Sequence, residues 1–162
     1  MRANGLIKYL KDKKNLVGVE VGVAEGNNAE TFCENLQIKK LYLVDPYIPY
    51  IDPTQGEGLI ELYVGMKHSA RDKLAKRPVK WIYEKSEDAV DKVGKIDFVY
   101  IDGCHDYKEV KKDIEIWTDK VKQGGIVAGH DYPAEGVKRA VDEYTNGKYK
   151  VDIENMEWYF IK

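Results

Sequence analysis

Cysteine is scarce in this 162-residue chain. There are two, Cys33 and Cys104, with no C-x-x-C spacing, so neither a zinc knuckle nor a disulfide framework is indicated and a reduced, cytoplasmic setting is expected. Excess charge is missing too. A net charge of −2, with Lys/Arg and Asp/Glu interspersed, gives no electrostatic reason to expect nucleic acid or an anionic membrane as the main partner. No apolar run approaches the roughly 20 residues of a membrane span. The opening MRANGLIKYLKDKK lacks an apolar signal core; its Leu6, Ile7 and Leu10 mark one face of a short leading helix. No repeat, low-complexity segment or linker divides the chain, which reads as one domain over 1–162. What is present, 43% hydrophobic and 33% charged residues, is the composition of an ordinary globule with a sizeable core.

Strand-like runs alternate with helical patterns. LVGVEVGV (16–23), LYLVD (41–45), VKWIYE (79–84), IDFVYID (96–102) and IVAGHD (126–131) read as five strands. Between them, residues 28–36 carry Phe32 and Leu36 four apart, and Leu59, Leu62, Met66 and Leu74 space out one face of a long helix over 59–76. SEDAVDKV suggests a short helix. Asp106 and Glu109 resemble a capping box ahead of the apolar face Val110, Ile114, Trp117 and Val121, and Gly124-Gly125 then turns the chain into the fifth strand. Val137, Ala140, Val141 and Tyr144 mark a last helix, and YKVDI with MEWYFI a closing hairpin. The stretch 46–58, with three prolines and two glycines, reads as a loop. Alternation of this kind predicts an α/β domain with a mostly parallel sheet covered on both faces and an antiparallel strand pair at its C-terminal part.

In such a sheet ligands sit outside the carboxyl ends of the strands. The first end, VEVGVAEGNN, has Gly22 and Gly26 four apart, but Ala24 and Asn27 stand where a dinucleotide fingerprint needs glycine. Glu20, two residues before the turn, opposes a phosphate and attracts a cation. Asp45 at the second end can accept from two vicinal ribose hydroxyls, and Ser86 and Glu87 stand where an adenine edge would then fall. Each residue also has a plainer reading: a tight-turn glycine pair, a turn-forming Asp before Pro46, a helix-capping Ser86. Together they describe a nucleoside with a positive, phosphate-free tail, and S-adenosyl-L-methionine fits that description.

The order VEVGVAEG, LYLVD, YEKSEDA, DFVYIDGCHDY and GGIVAGHDY resembles class I S-adenosylmethionine-dependent methyltransferases, in particular a small subgroup with I-D-G-x-H-x-Y and G-G-x-x-x-G-H-D-Y motifs, from about Leu16 to Tyr144. The resemblance implies a Rossmann-like, doubly wound, seven-stranded sheet. It implies that Glu20, Gly22 and Gly26 line the methionine part, that Asp45 binds the ribose and that Ser86 and Glu87 flank the adenine. Asp102 ends the fourth strand beside the expected methyl donor, and His105, three residues on, holds the offset of the catalytic lysine in catechol-type relatives. A histidine with an ordinary pKa near 6.5 suits a general base at neutral pH; its plainer reading is a local hydrogen bond. Metal-dependent relatives bind magnesium at positions matched here by Asp102 and Asp131, so a divalent cation, magnesium or manganese, is one reading of this cluster; the plainer one is that Asp131 and His130 only hydrogen-bond substrate or loop. His130 is a poor magnesium ligand, suited better to manganese, iron or zinc. Cys104 stands where relatives frequently carry an acidic residue.

The expectation is therefore methyl transfer to a small-molecule acceptor, most simply an oxygen of a sugar or other hydroxyl compound, with His105, Asp102 and Asp131 as catalytic residues. Tyr47 and Tyr50 of the loop suit a sugar or aromatic acceptor, and a homodimer is one way to finish the pocket of so short a chain. Three other readings stay open: a nicotinamide-dependent oxidoreductase, against which Glu20 and the missing glycine argue; a non-catalytic nucleoside-binding module; and a nucleic-acid methyltransferase, which calls for a basic face that the near-neutral composition does not suggest.

Overall fold

The computed structural model describes residues 3–52 and 56–162. A seven-stranded sheet carries the order β5-β2-β1-β6-β7-β9-β8, from β1 (Leu16–Val21), β2 (Ile38–Val44), β5 (Val79–Ile82), β6 (Ile96–Ile101), β7 (Val121–Gly129), β8 (Lys150–Asp152) and β9 (Glu157–Ile161). The first five run parallel, while β9 pairs antiparallel with both β7 and β8. The chain lays β1, β2 and β5 outward in one direction and then returns to β6 on the other side of β1. The strand order thus reverses between β1 and β6, where a ligand crevice opens in such sheets.

Two apolar layers sandwich the sheet. On one face α1 (Asn4–Leu10), α2 (Asn27–Asn35) and α3 (Ile60–Leu74) cover Leu41, Leu43, Phe98 and Tyr100; on the other, α5 (Tyr107–Lys120) and α6 (Glu135–Thr145) cover Val19, Val99 and Val127. Leu6, Ile7 and Leu10 are buried as their spacing predicts. The buried Glu157 carboxylate accepts from the Gly5 and Leu6 amides at 2.7 and 3.2 Å, satisfying the first turn of α1 and pinning it to β9.

Several expectations are corrected. β2 begins at Ile38, three residues before LYLVD, because β1 supplies a partner as early as Leu16. Within the 46–58 stretch, of which residues 53–55 lie outside the described ones, β3 (Ile51–Asp52) pairs antiparallel with β4 (Gly56–Glu57). Val121 opens β7 rather than closing α5, and Gly124-Gly125 lie within that strand, where the register against β6 shifts between Ile96 and Phe98. Asp106 caps α5 by accepting from the Lys108 amide at 2.8 Å, a cap without the Glu109 half of the box. In α3 the expected apolar face is half wrong: Ala70 and Leu74 are buried, but Leu59 and Leu62 are 72% and 52% exposed. The helix packs through Tyr63, Met66, Ala70 and Leu74 instead, with full burial only at the last two.

Candidate active site

A cavity of about 1080 Å³ lies across the carboxyl ends of β1, β2, β5, β6 and β7. Its wall includes Gly22, Asp45, Ser86, Glu87, Asp102, His105, His130 and Asp131, most of the residues that the sequence singles out. Glu20 and Gly26 do not line it. Gly22 has φ +80°, and a Cβ there would stand 2.2 Å from the Asp102 carbonyl oxygen, so this turn closes against the end of β6 only without a side chain. Gly26, at φ +77°, packs its Cα against α3, where a Cβ would meet Leu74 at 3.0 Å; its role is packing and the start of α2 rather than contact with a ligand.

Glu20 lies beneath the turn and is fully buried, with no hydrogen bond of good geometry to either carboxylate oxygen. Burial, followed by the nearby Asp102 carboxylate, drives its pKa well up. The Asn28 amide and the Ala29 N–H lie close enough to pull it down only in part. An acid left so poorly compensated is a standing invitation to a cation.

Asp45 is already engaged. Its Oδ2 accepts from the Val23 and Ala24 amides at 2.9 and 3.1 Å and its Oδ1 from Tyr47 N–H at 2.7 Å, so the expected ribose acceptor also ties the first two strand-end turns together. Tyr47 returns a bond from its hydroxyl to the Ala24 carbonyl at 2.8 Å. Ala24, Tyr47 and Asp131 all have left-handed φ, at 47°, 51° and 54°. Three such non-glycine residues around one cavity is the distribution of backbone strain found at functional sites.

Ser86 does not cap its helix. Its Oγ accepts from the buried Trp117 indole at 2.7 Å and bonds Asp113, and α4 (Ser86–Ala89) carries no side-chain cap. Glu87 pairs with Lys112 at 3.1 Å across the surface, which lowers its pKa. Asp113, on the buried face of α5, lines the cavity, and burial pushes its carboxyl up to about 7 against the opposing pull of Ser86.

Asp102 accepts from the buried Asn28 amide at 2.6 Å through Oδ2, while its Oδ1 lies 3.7 Å from His130 Nδ1. His130 Nδ1 is closer to Asp131, at 3.2 Å. His105 is 7% exposed and held from both sides: Nε2 stands 2.8 Å from Asp131 Oδ2, and Nδ1 3.1 Å from Asp52 Oδ1. The Asp131 hydrogen bond, reinforced by Asp52 and opposed by burial, raises the His105 pKa to about 9. His105 and His130 together hold Asp131 well below the usual carboxylate range. The ring is thus an imidazolium at neutral pH in this state, not the pKa 6.5 base of the sequence reading. The ligand atoms of Asp102, His105 and Asp131 lie within 4.8 Å of one another, so the convergent metal-type set contains His105 rather than His130. Cys104 lines the cavity as a thiol that burial keeps protonated. Tyr107 turns away, bonding Glu143 under the Arg139 guanidinium, and His68 is exposed.

Three site residues escape the sequence reading. Asn28 follows the glycine turn without a motif of its own. Asp52 sits in the proline-rich stretch, where nothing in the pattern points it at His105. Asp113 did leave a signal: it falls three residues after Val110 and four before Trp117, on the face that the spacing assigns to the core.

Comparison with known proteins agrees with this geometry. Residues 19–132 match the family model described as a methyltransferase domain. The uncharacterized protein R132 of Acanthamoeba polyphaga mimivirus is 28% identical over 149 residues, 85% of this chain; the chain spans 65% of that relative's length. The O-methyltransferase NovP superposes with a TM-score of 0.72 at 16% identity, over 98% of this chain and 76% of that one. Precorrin-6y C5,15-methyltransferase from Geobacter metallireducens does so with a TM-score of 0.66 at 15% identity, over 94% and 78%. At these identities the two structures speak for the fold, while the family match spans both the glycine turn and the His105–Asp131 cluster, and on that match the chain belongs to the class I S-adenosylmethionine-dependent methyltransferases.

Proposed function

We propose that the protein transfers a methyl group from S-adenosyl-L-methionine to a small-molecule acceptor, with oxygen as the favoured acceptor atom. The observation that carries this reading is the fully buried acid Glu20, only partly compensated by Asn28 and Ala29, beneath a glycine turn that borders a cavity walled by Asp45 and Asp102. A phosphate would be repelled there and a sulfonium or ammonium attracted. The bound cofactor supplies an electrophilic methyl carbon on an already activated leaving group. This chain's residues hold and align: Asp102 faces the methionine portion, Asp45 keeps an Oδ1 lone pair for a ribose hydroxyl, and Ser86 and Glu87 border the adenine end.

His105 in this reading takes the acceptor's proton at Nε2, the nitrogen beside Asp131. As methyl transfer breaks the S–CH3 bond and forms the O–CH3 bond, the hydroxyl proton passes to the ring. Only the neutral ring can accept it, so its availability rises toward pH 9. A divalent cation is compatible with the site: two carboxylates and an imidazole suit manganese, iron or zinc better than magnesium, and would acidify a coordinated hydroxyl. A cytoplasmic location completes the proposal; Cys33 and Cys104 are free thiols, and among the described residues no helix is long and apolar enough to cross a membrane.

Calorimetry with S-adenosylhomocysteine is the direct test. Binding that weakens in Asp45→Asn and Asp102→Asn is expected; no heat with this compound, alongside tight binding of a nicotinamide dinucleotide, would overturn the reading.

A further inference from the structure

Ligand pockets commonly enclose roughly 300–1,000 Å³, so a cavity of about 1080 Å³ has room for a nucleoside and a second molecule beside it. The two sides of this cavity differ in chemistry. The strand ends form an acidic floor. The lining also includes Ile48 and Tyr50 from the arm leading into β3, Ile51 of β3, and Leu59, Leu62 and Tyr63 at the start of α3. Of twelve large apolar side chains exposed among the described residues, seven fall between Ile48 and Val64; the rest are scattered. Single exposed leucines are ordinary, but a concentration of them on the rim of a cavity marks a binding surface. The Tyr50 and Tyr63 rings, 6.1 Å apart at 59°, join the arm to the helix, so the two segments form one wall.

Charge narrows the occupant. Nine of the described residues lining the cavity carry carboxylates, and Lys85 is the only Lys or Arg among them. Both ring nitrogens of His105, at the chemical end, are already engaged by Asp52 and Asp131. Among the described lining residues an acceptor's carboxylate or phosphate would face Asp131 and Asp102, with Lys85 as the only Lys or Arg to offset them.

Building on the proposed methyl transfer, we infer that the acceptor is an apolar or aromatic alcohol without negative charge, its body against the Leu59–Leu62–Tyr50 wall and its hydroxyl toward Asp131 and His105. This excludes sugar phosphates, nucleotides and nucleic acid, and disfavours a bare sugar, which would leave the apolar wall wet.

The test compares 2-naphthol with 2-naphthoate, which share a ring system and differ in charge, by calorimetry on protein saturated with S-adenosylhomocysteine. Expected are binding of 2-naphthol, binding of 2-naphthoate at least ~10-fold weaker, and loss of at least ~10-fold in 2-naphthol affinity in the Leu59→Gln/Leu62→Gln double variant, with S-adenosylhomocysteine affinity unchanged. A second measurement needs no variant: the methyl resonances of Leu59 and Leu62 should shift on adding 2-naphthol to the wild-type protein. Equal or tighter binding of 2-naphthoate, unaltered 2-naphthol affinity in the double variant, or unmoved methyl resonances would overturn the inference. So would a wild-type dimer that the double variant dissociates while neither form binds 2-naphthol, because the wall would then be an interface between copies. Failure of S-adenosylhomocysteine to bind would instead sink the methyl-transfer reading, and the contrast between the two naphthyl probes would remain measurable on the protein alone.

Discussion

Asp52 grips His105 twice, accepting the backbone N–H at 3.0 Å through one carboxylate oxygen and facing ring Nδ1 at 3.1 Å through the other. The two residues are 53 positions apart, and Asp52 is 4% exposed. This contact fixes the ring plane, directs Nε2 at Asp131 and fastens β3 to the turn after β6.

Replacing Asp52 by Asn keeps an acceptor of the same shape but removes an anion. The His105 pKa should fall from about 9 toward its ordinary value, as read from histidine ring resonances across a pH titration. Asp52→Ala, which leaves a buried N–H without its acceptor, should cost about 1–3 kcal/mol in denaturant unfolding, more than Asp52→Asn. An unchanged ring pKa in Asp52→Asn would show that Asp131 alone sets the charge.

Stability should fall on both sides of neutrality, for opposite reasons. The folded-state pKa of His105 is raised, so its contribution is complete below about pH 6.5 and is lost as pH rises through about 9. That of Asp131 is depressed, so its contribution is present above the ordinary carboxylate range and is lost as pH falls below it. His105→Gln should flatten the alkaline limb, which amounts to about 2 kcal/mol between pH 6 and 9.5 in urea titrations. An alkaline limb identical to wild type would place the titrating group elsewhere.

Asp113 behaves in the reverse sense. Burial raises its pKa to about 7, so the folded protein holds its proton more tightly than the unfolded chain and loses stability as pH rises between about 4 and 7. Asp113→Asn retains the shape and relieves that cost. It should stabilise the protein at pH 8 by about 1–3 kcal/mol and leave it nearly unchanged at pH 4, measured by thermal unfolding at the two pH values. Destabilisation at pH 8 would mean that the charged form is better compensated than Ser86 alone accounts for.

Glu20→Gln should separate stability from binding. Removing a buried acid with no adequate partner is expected to stabilise the free protein at pH 7–8 by about 1–2 kcal/mol, while S-adenosylmethionine affinity drops by ~10-fold or more because the negative charge beneath the turn is gone. Equal affinity in calorimetry would assign cation attraction to Asp45 and Asp102 alone.

Manganese should distinguish a cation site from a hydrogen-bonded cluster. Binding to Asp102, His105 and Asp131 replaces the ring proton, so it should strengthen with pH and vanish in Asp131→Asn, as followed by the loss of the free manganese electron-spin-resonance signal. Weak binding that is indifferent to both would leave the cluster as a charge network.

Much of this molecule was legible in one dimension. The β-branched runs and their alternation with 3.6-residue patterns determined the parallel α/β sheet, because each strand buried on both faces must read as apolar and each covering helix must show one apolar stripe. Gly22, Asp45, Asp102, His105 and Asp131 stood out because they sit at strand ends, and strand ends are local features of the chain. Only the tertiary structure decided what those groups are. The charge of His105 depends on Asp52, brought from the far side of a proline-rich arm, and on Asp131 from another strand. The exposure of Leu59 and Leu62 depends on which side chains of α3 meet the core, and those are Tyr63, Met66, Ala70 and Leu74. Periodicity reports which side chains share a face; a pKa or a solvent exposure is set by whatever distant segment arrives beside that face.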